Sequence, residues 1–505
     1  MKKIDDRKRG KNSITTEISM TYPPTDKNEK KNKTIFHFIL NGFIAFLICG
    51  GIVLTSDLLG IFNPDVSQGF QKLQSWKWDG YIDFAKLYPI DIVLFGSSHI
   101  NRGLTPINLS LATGTNSFAA AFNGTTLTYL YFVMKQAFEI QRPKVAVVET
   151  YPIYNINNYE RAKLSYNDLG YTFFHFNFAK NTLNKLSATA YCFPSDYWLS
   201  SWSNTLRNHN LIMNDFQKII DNWTGKNEYK KWSETNSGLY LGQNIGSGLP
   251  LQDSMLKKLE NEENIIDAAE FLISDEAKKY IRKIKDLCDE NGVKLLFVTV
   301  PSYYRCIKNW DVFKSNLNIE LNKYNIPWLD LQSPYDTTLY NQFCFENTID
   351  RNQHLTLVGT KISAHKLAEY LKKNYSDILP NRENNPQYIN YFYENSDYLY
   401  YYPLPDNDKI NKGFFKNKNV GNYLVKEVDY VFGNINNIIL KVTGNQDVTT
   451  KKILVLVAAT YQNQQINAWI ELEYMQEYFG LNHYVFQCNI NEGVQIDDVL
   501  AVQIN

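Results

Sequence analysis

The stretch DIVLFGSSHINRGLTP, residues 91–106, decides the fold of the middle of this chain. Four apolar residues, Ile92 to Phe95, have the length and composition of a buried strand, and a glycine, two serines and a histidine follow them at once. In sheets of parallel strands, ligands bind beyond the carboxyl ends of the strands. The turn at Gly96, Ser97 and Ser98 is therefore the first candidate for a functional site.

Further apolar segments of strand length recur along the chain and alternate with helical segments. The predicted strands are NSFAAAF (116–122), KVAVVE (144–149), VKLLFVTV (293–300) and IPWLDL (326–331). The predicted helices are TTLTYLYFVMKQAFEIQ, capped at Thr125, a segment from Ser274 to Gly292, and LVGTKISAHKLAEYLKKN before residue 375. Continuous apolar strands that alternate with helices predict an α/β fold, a three-layer α/β/α domain with a parallel sheet.

The pattern changes in two places. Residues 154–269 form an insertion rich in aromatic residues and asparagine, predicted to overhang the sheet edge as a sugar-binding surface or as a small helical subdomain. After residue 398 apolar and polar residues alternate, as in NIILKVTG and KKILVLVAATY, which predicts a β-sandwich. The predicted boundaries are 91–378 for the α/β domain, 379–397 for a linker and 398–505 for the sandwich.

The N-terminal part of the chain predicts a membrane anchor. Residues 34–56, TIFHFILNGFIAFLICGGIVLTS, contain no Asp, Glu, Lys or Arg and have the length of a transmembrane helix. Ten Lys or Arg residues precede Thr34, so the positive-inside rule places residues 1–33 in the cytoplasm. Residues 57–90 are then a stalk, with the amphipathic piece QKLQSWKWDGYIDF. The protein is predicted to cross the cell membrane once, with its folded domains extracytoplasmic.

Charge and cysteine usage exclude several function classes. Lys plus Arg total 52 and Asp plus Glu total 52, so nothing in the charge indicates a nucleic-acid partner. The six cysteines form no C-x-x-C pair and do not cluster with histidine, which argues against a zinc site or a disulfide framework. We therefore expect no metal and no other cofactor.

Polar residues follow several predicted strands at the same edge. Ser98 follows the first strand, Asn123 and Gly124 follow the second, and Asp350 and His354 lie past the fifth. A serine hydroxyl becomes a nucleophile when an imidazole accepts its proton and a carboxylate fixes the imidazole tautomer. The sequence therefore predicts an acyl-serine enzyme with Ser98, His354 and Asp350 as catalytic residues. The amide of Ser98, with Asn123 or Gly124, is the predicted oxyanion hole.

Two neighbouring residues are given structural roles at this point. We expect His99 to be a partly exposed loop residue, and Glu149 to end a strand and pair locally, with a role at the site as the alternative for each.

The segment FGSSHINRGLTP resembles the first block of the SGNH (GDSL-like) hydrolases, in which a G-D-S or G-S-S turn carries the nucleophile. The resemblance implies that Ser98 is the catalytic serine. GVKLLFVTVP and the terminal D…HLTLVG are similar to a membrane-anchored branch of that superfamily, which includes alginate O-acetylation proteins and the teichoic-acid D-alanylation protein D. The resemblance covers about residues 91–153 and 270–375.

The chain departs from the family pattern in three places. The last block of the family is D-x-x-H, whereas three residues separate Asp350 from His354, so Glu346 or a backbone carbonyl is an alternative partner for the histidine. The oxyanion glycine of the second block falls on Ala121. The third block, G-x-N-D, is replaced by VVETYPIYN, which leaves Asn123 as the first candidate for a side-chain oxyanion donor.

The resemblance implies an O-acetyltransferase that modifies a cell-surface polysaccharide. A multispanning membrane-bound O-acyltransferase would supply the acyl group. The sandwich would either bind glycan or have only a structural role. Two alternatives stay open: a carbohydrate esterase of the same fold, and a catalytically inactive glycan-binding scaffold that recruits the acyltransferase. The retained Ser98 and His354 favour an enzyme, whereas the missing third block favours the scaffold.

Overall fold

The structure is a computed structural model that describes most of the chain. The described ranges are 27–62, 69–154, 183–224, 265–303, 307–332, 344–346, 354–382, 409–432, 437–444, 451–478, 483–490 and 494–505, with the single residues 172, 176, 251, 255, 257, 258 and 339.

A parallel sheet forms the centre of the α/β domain. The first seven strands of the described chain are β1 (Ile92–Gly96), β2 (Ser117–Ala121), β3 (Val145–Glu149), β4 (Ile266–Asp267), β5 (Lys294–Thr299), β6 (Ile307–Lys308) and β7 (Trp328–Asp330). Five of them pair in the order β2-β1-β3-β5-β7, and every pairing is parallel. β4 and β6 form a separate small pair. The predicted fold class is confirmed.

Helices cover both faces of this sheet. The helices of the described residues are α1 (Lys27–Leu58), α2 (Gly69–Leu87), α3 (Ser98–Gly103), α4 (Pro106–Thr113), α5 (Leu127–Ile140), α6 (Tyr151–Tyr154), α7 (Leu183–Cys192), α8 (Trp198–Trp202), α9 (Asn204–Asn208), α10 (Leu211–Asn214), α11 (Phe216–Trp223), α12 (Asp275–Glu290), α13 (Trp310–Asn322) and α14 (Leu357–Tyr375). Alternate residues of β1 point to two separate cores. Val93 and Phe95 pack with α2, α5, α12 and α13, whereas Ile92 and Leu94 pack with α3, α4 and α14. Because successive side chains of a strand face opposite ways, one sheet supports both cores.

Helix ends follow the predicted capping chemistry with one exception. The Ser274 side chain accepts a hydrogen bond from the amide of Ala277 at 3.1 Å, as expected for the start of α12. The cap of α5 is Thr126 rather than Thr125, since Thr126 Oγ1 accepts from the amide of Tyr129 at 3.1 Å. The Thr125 hydroxyl instead donates to the carbonyl of Phe122 at 2.5 Å, so it closes the turn that precedes the helix.

The predicted stalk is wrong for residues 69–87. These residues form α2, and its Trp78, Tyr81 and Phe84 are buried in the core beside β1 and β2. The spacing of three residues between them places the three rings on one face of the helix. The α/β domain therefore begins before residue 91.

The first helix is the one element among the described residues with the length and composition of a membrane span. It contains the apolar stretch Thr34–Leu58, which has a mean hydropathy of 2.3. None of the residues in the most apolar part of this stretch is buried. Within the predicted insertion, residues 183–224 form the short helices α7 to α11, and residues 266–267 form β4. Asn184 of α7 donates to the carbonyl of Phe132 on α5 at 2.9 Å, so this subdomain is attached to the α/β domain.

The C-terminal region is an antiparallel β-structure. Its strands are β8 (Lys409–Phe414), β9 (Lys418–Val420), β10 (Tyr423–Phe432), β11 (Asn437–Gly444), β12 (Ile453–Tyr461), β13 (Gln464–Tyr478), β14 (His483–Asn489) and β15 (Val494–Ile504). The long strand β13 pairs with β12 in its first part and with β14 in its second, so it joins the two halves of the sheet. Alternate residues such as Val455 and Leu440 form an apolar core between these halves. The predicted strand segment at 398–404 lies outside the described residues.

Candidate active site

The turn between β1 and α3 is tightly packed. Ser97 caps α3, accepting a hydrogen bond from the amide of His99 at 3.4 Å, and Ser98 is the first helical residue. A Cβ atom at Gly96 would lie 2.4 Å from Cγ1 of Ile100 and 2.5 Å from Oε2 of Glu149. Glycine is therefore required at this position, because Glu149 lies directly against the backbone of the turn.

Glu149, the last residue of β3, holds this turn. Its Oε2 accepts hydrogen bonds from the amide of Ser97 at 2.6 Å and from the Ser97 hydroxyl at 2.9 Å. The carboxyl group is fully buried, and this burial raises its pKa to about 7, against the opposing effect of the hydrogen bonds from Ser97 and Ile100. Glu149 thus fixes the backbone that carries Ser98.

His99 is buried rather than partly exposed, so the sequence prediction for it is wrong. Its Nδ1 lies 3.4 Å from Oε1 of Glu149, and its Nε2 lies 3.4 Å from the hydroxyl oxygen of Ser302. The ring of Tyr151 covers it, with 4.1 Å between ring centroids. Burial, with a smaller effect of the Arg102 charge, lowers the pKa of His99 to about 3, so the imidazole is neutral at physiological pH.

Ser302, His99 and Glu149 thus form a row of a serine, a histidine and a carboxylate that sequence reasoning missed. The backbone of Ser302 is fixed by Gln332, whose side chain accepts from the Ser302 amide at 2.6 Å and donates to its carbonyl at 2.9 Å. The available signal was position, since Glu149 ends β3 and Ser302 follows β5 at the same sheet edge. The Ser302 amide is occupied by Gln332 and is not available to a ligand.

His354 lies in a second pair with Glu346. Segments 344–346 and 354–356 are bridged by the amide of Glu346, which donates to the carbonyl of His354 at 2.9 Å, and by the amide of Thr356, which donates to the carbonyl of Cys344 at 2.9 Å. Oε2 of Glu346 lies 4.0 Å from Nδ1 of His354 and 3.1 Å from Nη1 of Arg102. Glu346, the alternative partner weighed from the sequence, is therefore the carboxylate that faces this histidine among the described residues.

The other nitrogen of His354 differs from the remaining buried atoms of the site that lack a hydrogen-bond partner in the described chain, since Nδ1 of His99 and Oε1 of Glu149 at least face each other at 3.4 Å. Nε2 is buried and has no hydrogen-bond partner among the residues that the structure describes. The ring lies 5.2 Å from that of His99, centroid to centroid. Burial, then the nearby His99 and Arg102, lower the pKa of His354 well below its usual value, so the ring is a neutral base.

Asn123 is oriented by a chain of hydrogen bonds from a buried lysine. Lys77 of α2 donates to Oδ1 of Asn101 and to the carbonyl of Ala121. Nδ2 of Asn101 in turn donates to Oδ1 of Asn123 at 2.6 Å. Lys77 has only donors, so the oxygen of the Asn101 amide must face it. The NH₂ group of Asn101 then faces Asn123. Asn123 therefore presents its oxygen to Asn101 and directs its NH₂ group away from Asn101. Burial lowers the pKa of Lys77, and the sequence missed this residue because it lay in the predicted stalk.

Helix α3 joins the Asn123 side of the site to the His354 side. Asn101 and Arg102 stand three and four residues after Ser98, and such positions share one helix face. Asn101 binds Asn123 and Arg102 binds Glu346, the neighbour of His354. Ser98, Asn123 and His354 are thus gathered at the carboxyl edge of the sheet.

The remaining predicted residues are placed as follows. Gly124 adopts a left-handed backbone with φ of 66° in the turn after β2, next to Asn123. Asp350 lies outside the described residues. Within the described ranges no group of three or more His, Cys, Asp or Glu residues is placed to hold a metal ion.

No protein-family model and no curated protein matches the chain. A solved structure assigned as an acylhydrolase from Bacteroides fragilis is 11% identical, with a TM-score of 0.26, over 61% of this chain and 98% of that chain. A two-domain esterase active on acetylated mannans, co-crystallised with mannopentaose, is 9% identical, with a TM-score of 0.26, over 85% of this chain and 94% of that chain. A second structure of a two-domain esterase active on acetylated mannans gives 9% identity, a TM-score of 0.24 and coverage of 85% and 95%. These TM-scores are too low for the likeness to assign a function.

Proposed function

We propose that the chain is an extracytoplasmic serine acyl-transfer enzyme of the SGNH-like type, anchored by the span at Thr34–Leu58, that O-acetylates a cell-surface polysaccharide. The ten basic residues before Thr34 support a cytoplasmic N-terminus. The acyl donor in this proposal is a multispanning membrane-bound O-acyltransferase, which would deliver the acyl group to the outer face. No metal or other cofactor takes part in the proposed reaction.

One observation carries the proposal. Nε2 of His354 is buried without a partner in the described part of the chain, at a site where Nδ1 faces Glu346. An unpartnered buried nitrogen is costly, so it marks a position where a substrate or a hydroxyl group is to be bound. Ser98 supplies the hydroxyl group of α3. Through Asn101 this helix contacts Asn123, and through Arg102 it contacts Glu346, the neighbour of His354.

The reaction follows from these positions. Ser98 Oγ attacks the acyl carbonyl, its proton moves to Nε2 of His354, and the carbonyl oxygen becomes an oxyanion near the amide of Ser98 and the NH₂ group of Asn123. Collapse breaks the bond to the leaving oxygen, which takes the proton from His354. An acyl-serine ester remains. A sugar hydroxyl then gives its proton to His354 and attacks the ester carbonyl. The bond from the acyl carbon to Ser98 Oγ breaks, and Oγ takes the proton back from His354, which restores Ser98.

The esterase alternative differs only in the last step, where water replaces the sugar hydroxyl. Acceptor binding decides between them, because a positioned hydroxyl reaches effective molarities of about 10⁵ M or more. Incubation of the enzyme with an activated acetyl ester and surface-polysaccharide oligomers should therefore give O-acetylated sugar, which mass spectrometry detects. Free acetate alone at an unchanged rate would support the esterase. Glycan binding without either product would support the inactive scaffold.

The nucleophile is tested with a matched pair of serines. The full chain in lipid nanodiscs should hydrolyse p-nitrophenyl acetate, and Ser98→Ala should lower the rate by about 10³-fold or more. Ser302→Ala is the control, because Ser302 is a buried serine at the same sheet edge and faces His99. We expect it to retain activity within about tenfold of the unsubstituted protein. Equal activity of Ser98→Ala and the unsubstituted protein would remove the assignment.

A further inference from the structure

The helical subdomain at 183–224 carries an exposed apolar surface close to the end of the first helix. On α10, Ile212 and Met213 are 51% and 86% exposed, and on α11, Phe216 and Trp223 are 58% and 71% exposed. We call these four residues the α10–α11 patch. An exposed cluster of this kind marks an interaction surface rather than a random scatter of apolar residues.

Helix α11 is amphipathic, and its apolar side is largely unburied. Phe216, Ile219, Ile220 and Trp223 follow the i, i+3, i+4, i+7 spacing of one helix face. Only Ile219 of these four is buried, and the opposite side carries Gln217, Lys218 and Asp221. A helix with one polar face and one exposed apolar face is typical of segments that lie in a membrane interface.

Hydrogen bonds attach this subdomain to the residues that directly follow the apolar stretch. Oδ1 of Asp57 accepts from both the amide and the hydroxyl of Thr205, each at 2.7 Å. Asn208 donates to the carbonyl of Phe62 at 2.9 Å, and Asn222 donates to the carbonyl of Ile61 at 3.0 Å. Helices α9 and α11 are therefore fixed within a few residues of Leu58, where the apolar stretch ends.

The geometry of a bilayer gives the depth of these contacts. Residues 59–62 form compact turns directly after α1, with the amides of Leu59 and Ile61 bonded back to the carbonyls of Thr55 and Ser56, and each headgroup layer is about 5–7 Å thick. Contacts made at 57–62 thus lie within or at the surface of the headgroup layer when Thr34–Leu58 spans the hydrocarbon core.

We propose that the α10–α11 patch inserts into the outer-leaflet interface of the membrane that the first helix crosses. This inference rests on the proposed span at Thr34–Leu58. Tryptophan and phenylalanine are the side chains enriched at that depth. The protein is then held at two points, which fixes the height and tilt of the catalytic edge above the bilayer.

Charge identifies the kind of surface that fits. The charged residues of 183–224 are Lys185, Asp196, Arg207, Asp215, Lys218 and Asp221, three basic and three acidic. This balance gives no attraction to anionic headgroups, so the partner is the apolar part of the interface itself.

The test uses the full chain in vesicles of phosphatidylcholine that contain a photoactivatable lipid with its reactive group near the glycerol. Mass spectrometry of the digested protein should find lipid adducts on 34–58 and on 211–223. Control peptides with equally exposed apolar residues, around Ile319 (61% exposed) and Trp469 (46% exposed), should carry none. The addition of phosphatidylglycerol should not increase the adducts on 211–223.

The double variant Phe216→Ser with Trp223→Ser should lose adducts on 211–223 by about tenfold or more while keeping those on 34–58. Adducts on 34–58 without adducts on 211–223 in the unsubstituted protein would overturn the inference and leave the span intact. A lack of adducts on 34–58 would overturn the span and the inference with it. Crosslinking of the patch to a second protein in native membranes, without lipid adducts in pure vesicles, would show a protein-docking surface instead.

Discussion

Two histidine and glutamate pairs lie side by side at the carboxyl edge of the sheet, and they differ in which of their buried atoms lack a hydrogen-bond partner among the described residues. In the first pair these atoms are Nδ1 of His99 and Oε1 of Glu149, which lie 3.4 Å apart and face each other. In the first pair, Oε2 of Glu149 is bound by Ser97, and Nε2 of His99 faces Ser302. In the second pair, Arg102 holds Glu346, and Nε2 of His354 has no hydrogen-bond partner in the described chain.

The difference separates a pair that supports the site from one that can react. Oε2 of Glu149 accepts from both the amide and the hydroxyl of Ser97 in the turn that carries Ser98, so this carboxylate fixes backbone geometry. The second pair keeps a nitrogen available at the same edge. Chemical identity alone, a histidine beside a glutamate, does not distinguish these roles, whereas the neighbours of each Nε2 atom do.

The largest expected effect comes from exchanging each histidine for phenylalanine, which keeps the ring volume and removes the nitrogens. His354→Phe should lower ester hydrolysis by about 10⁴-fold, because Ser98 loses its base. His99→Phe should retain activity within about tenfold, since His99 faces Ser302 rather than a substrate. The rates are measured with p-nitrophenyl acetate on protein of matched circular dichroism. The reverse result, with His99 essential and His354 dispensable, would transfer catalysis to the row of Ser302, His99 and Glu149.

A smaller effect is expected at the buried Lys77, which orients Asn101 and through it Asn123. It sharpens the comparison by probing the oxyanion donors independently of either histidine. Lys77→Met should lower kcat by about 10- to 100-fold with KM within about twofold, because Asn123 loses its fixed orientation. A boronic acid that mimics the tetrahedral intermediate should bind more weakly by a similar factor.

The control for this substitution is Lys185→Met, which removes another buried lysine, one that lies over the rings of Phe176 and Trp202. It should leave both kcat and boronic acid affinity within about twofold. An unchanged kcat for Lys77→Met, in a protein where Ser98→Ala is inactive, would show that Lys77 has only a structural role.

The smallest effect concerns stability. It distinguishes the contribution of Glu149 to the pH dependence of unfolding from that of His99. The folded-state pKa of Glu149 is raised from 4.5 to about 7. This contribution therefore lowers the free energy of unfolding as pH rises from 4.5 to 7. The lowered pKa of His99, about 3, acts in the opposite direction, because stability is lost as pH falls below 6.5. Glu149→Gln removes only the first contribution. Its unfolding free energy should therefore rise relative to the unsubstituted protein between pH 4.5 and 7, by at most about 3 kcal/mol.

This difference is followed as the thermal midpoint of the α/β domain at several pH values. A constant offset between Glu149→Gln and the unsubstituted protein across this pH range would mean that Glu149 does not titrate there.

The sequence by itself determined the elements whose signal is local. Apolar residues that alternate with polar ones predicted the strands of the antiparallel domain, because such strands are buried on one face. Continuous apolar runs predicted β1, β3 and β5, because these strands are buried on both faces. The cap at Ser274 and the apolar stretch at Thr34–Leu58 are likewise local. The glycine and serine turn before Ser98 was visible for the same reason.

Only the tertiary structure decided which polar groups meet. Glu149 binds Ser97 across 52 residues of sequence, and Ser302 faces His99 across 203. Lys77 reaches Asn101 and the end of β2 from a helix that composition assigned to a stalk. No short-range period encodes such contacts, because they depend on how separate layers pack and on which buried polar atom each neighbour satisfies. The sequence could therefore place the reactive edge, while the distinction between its two histidines required the assembled fold.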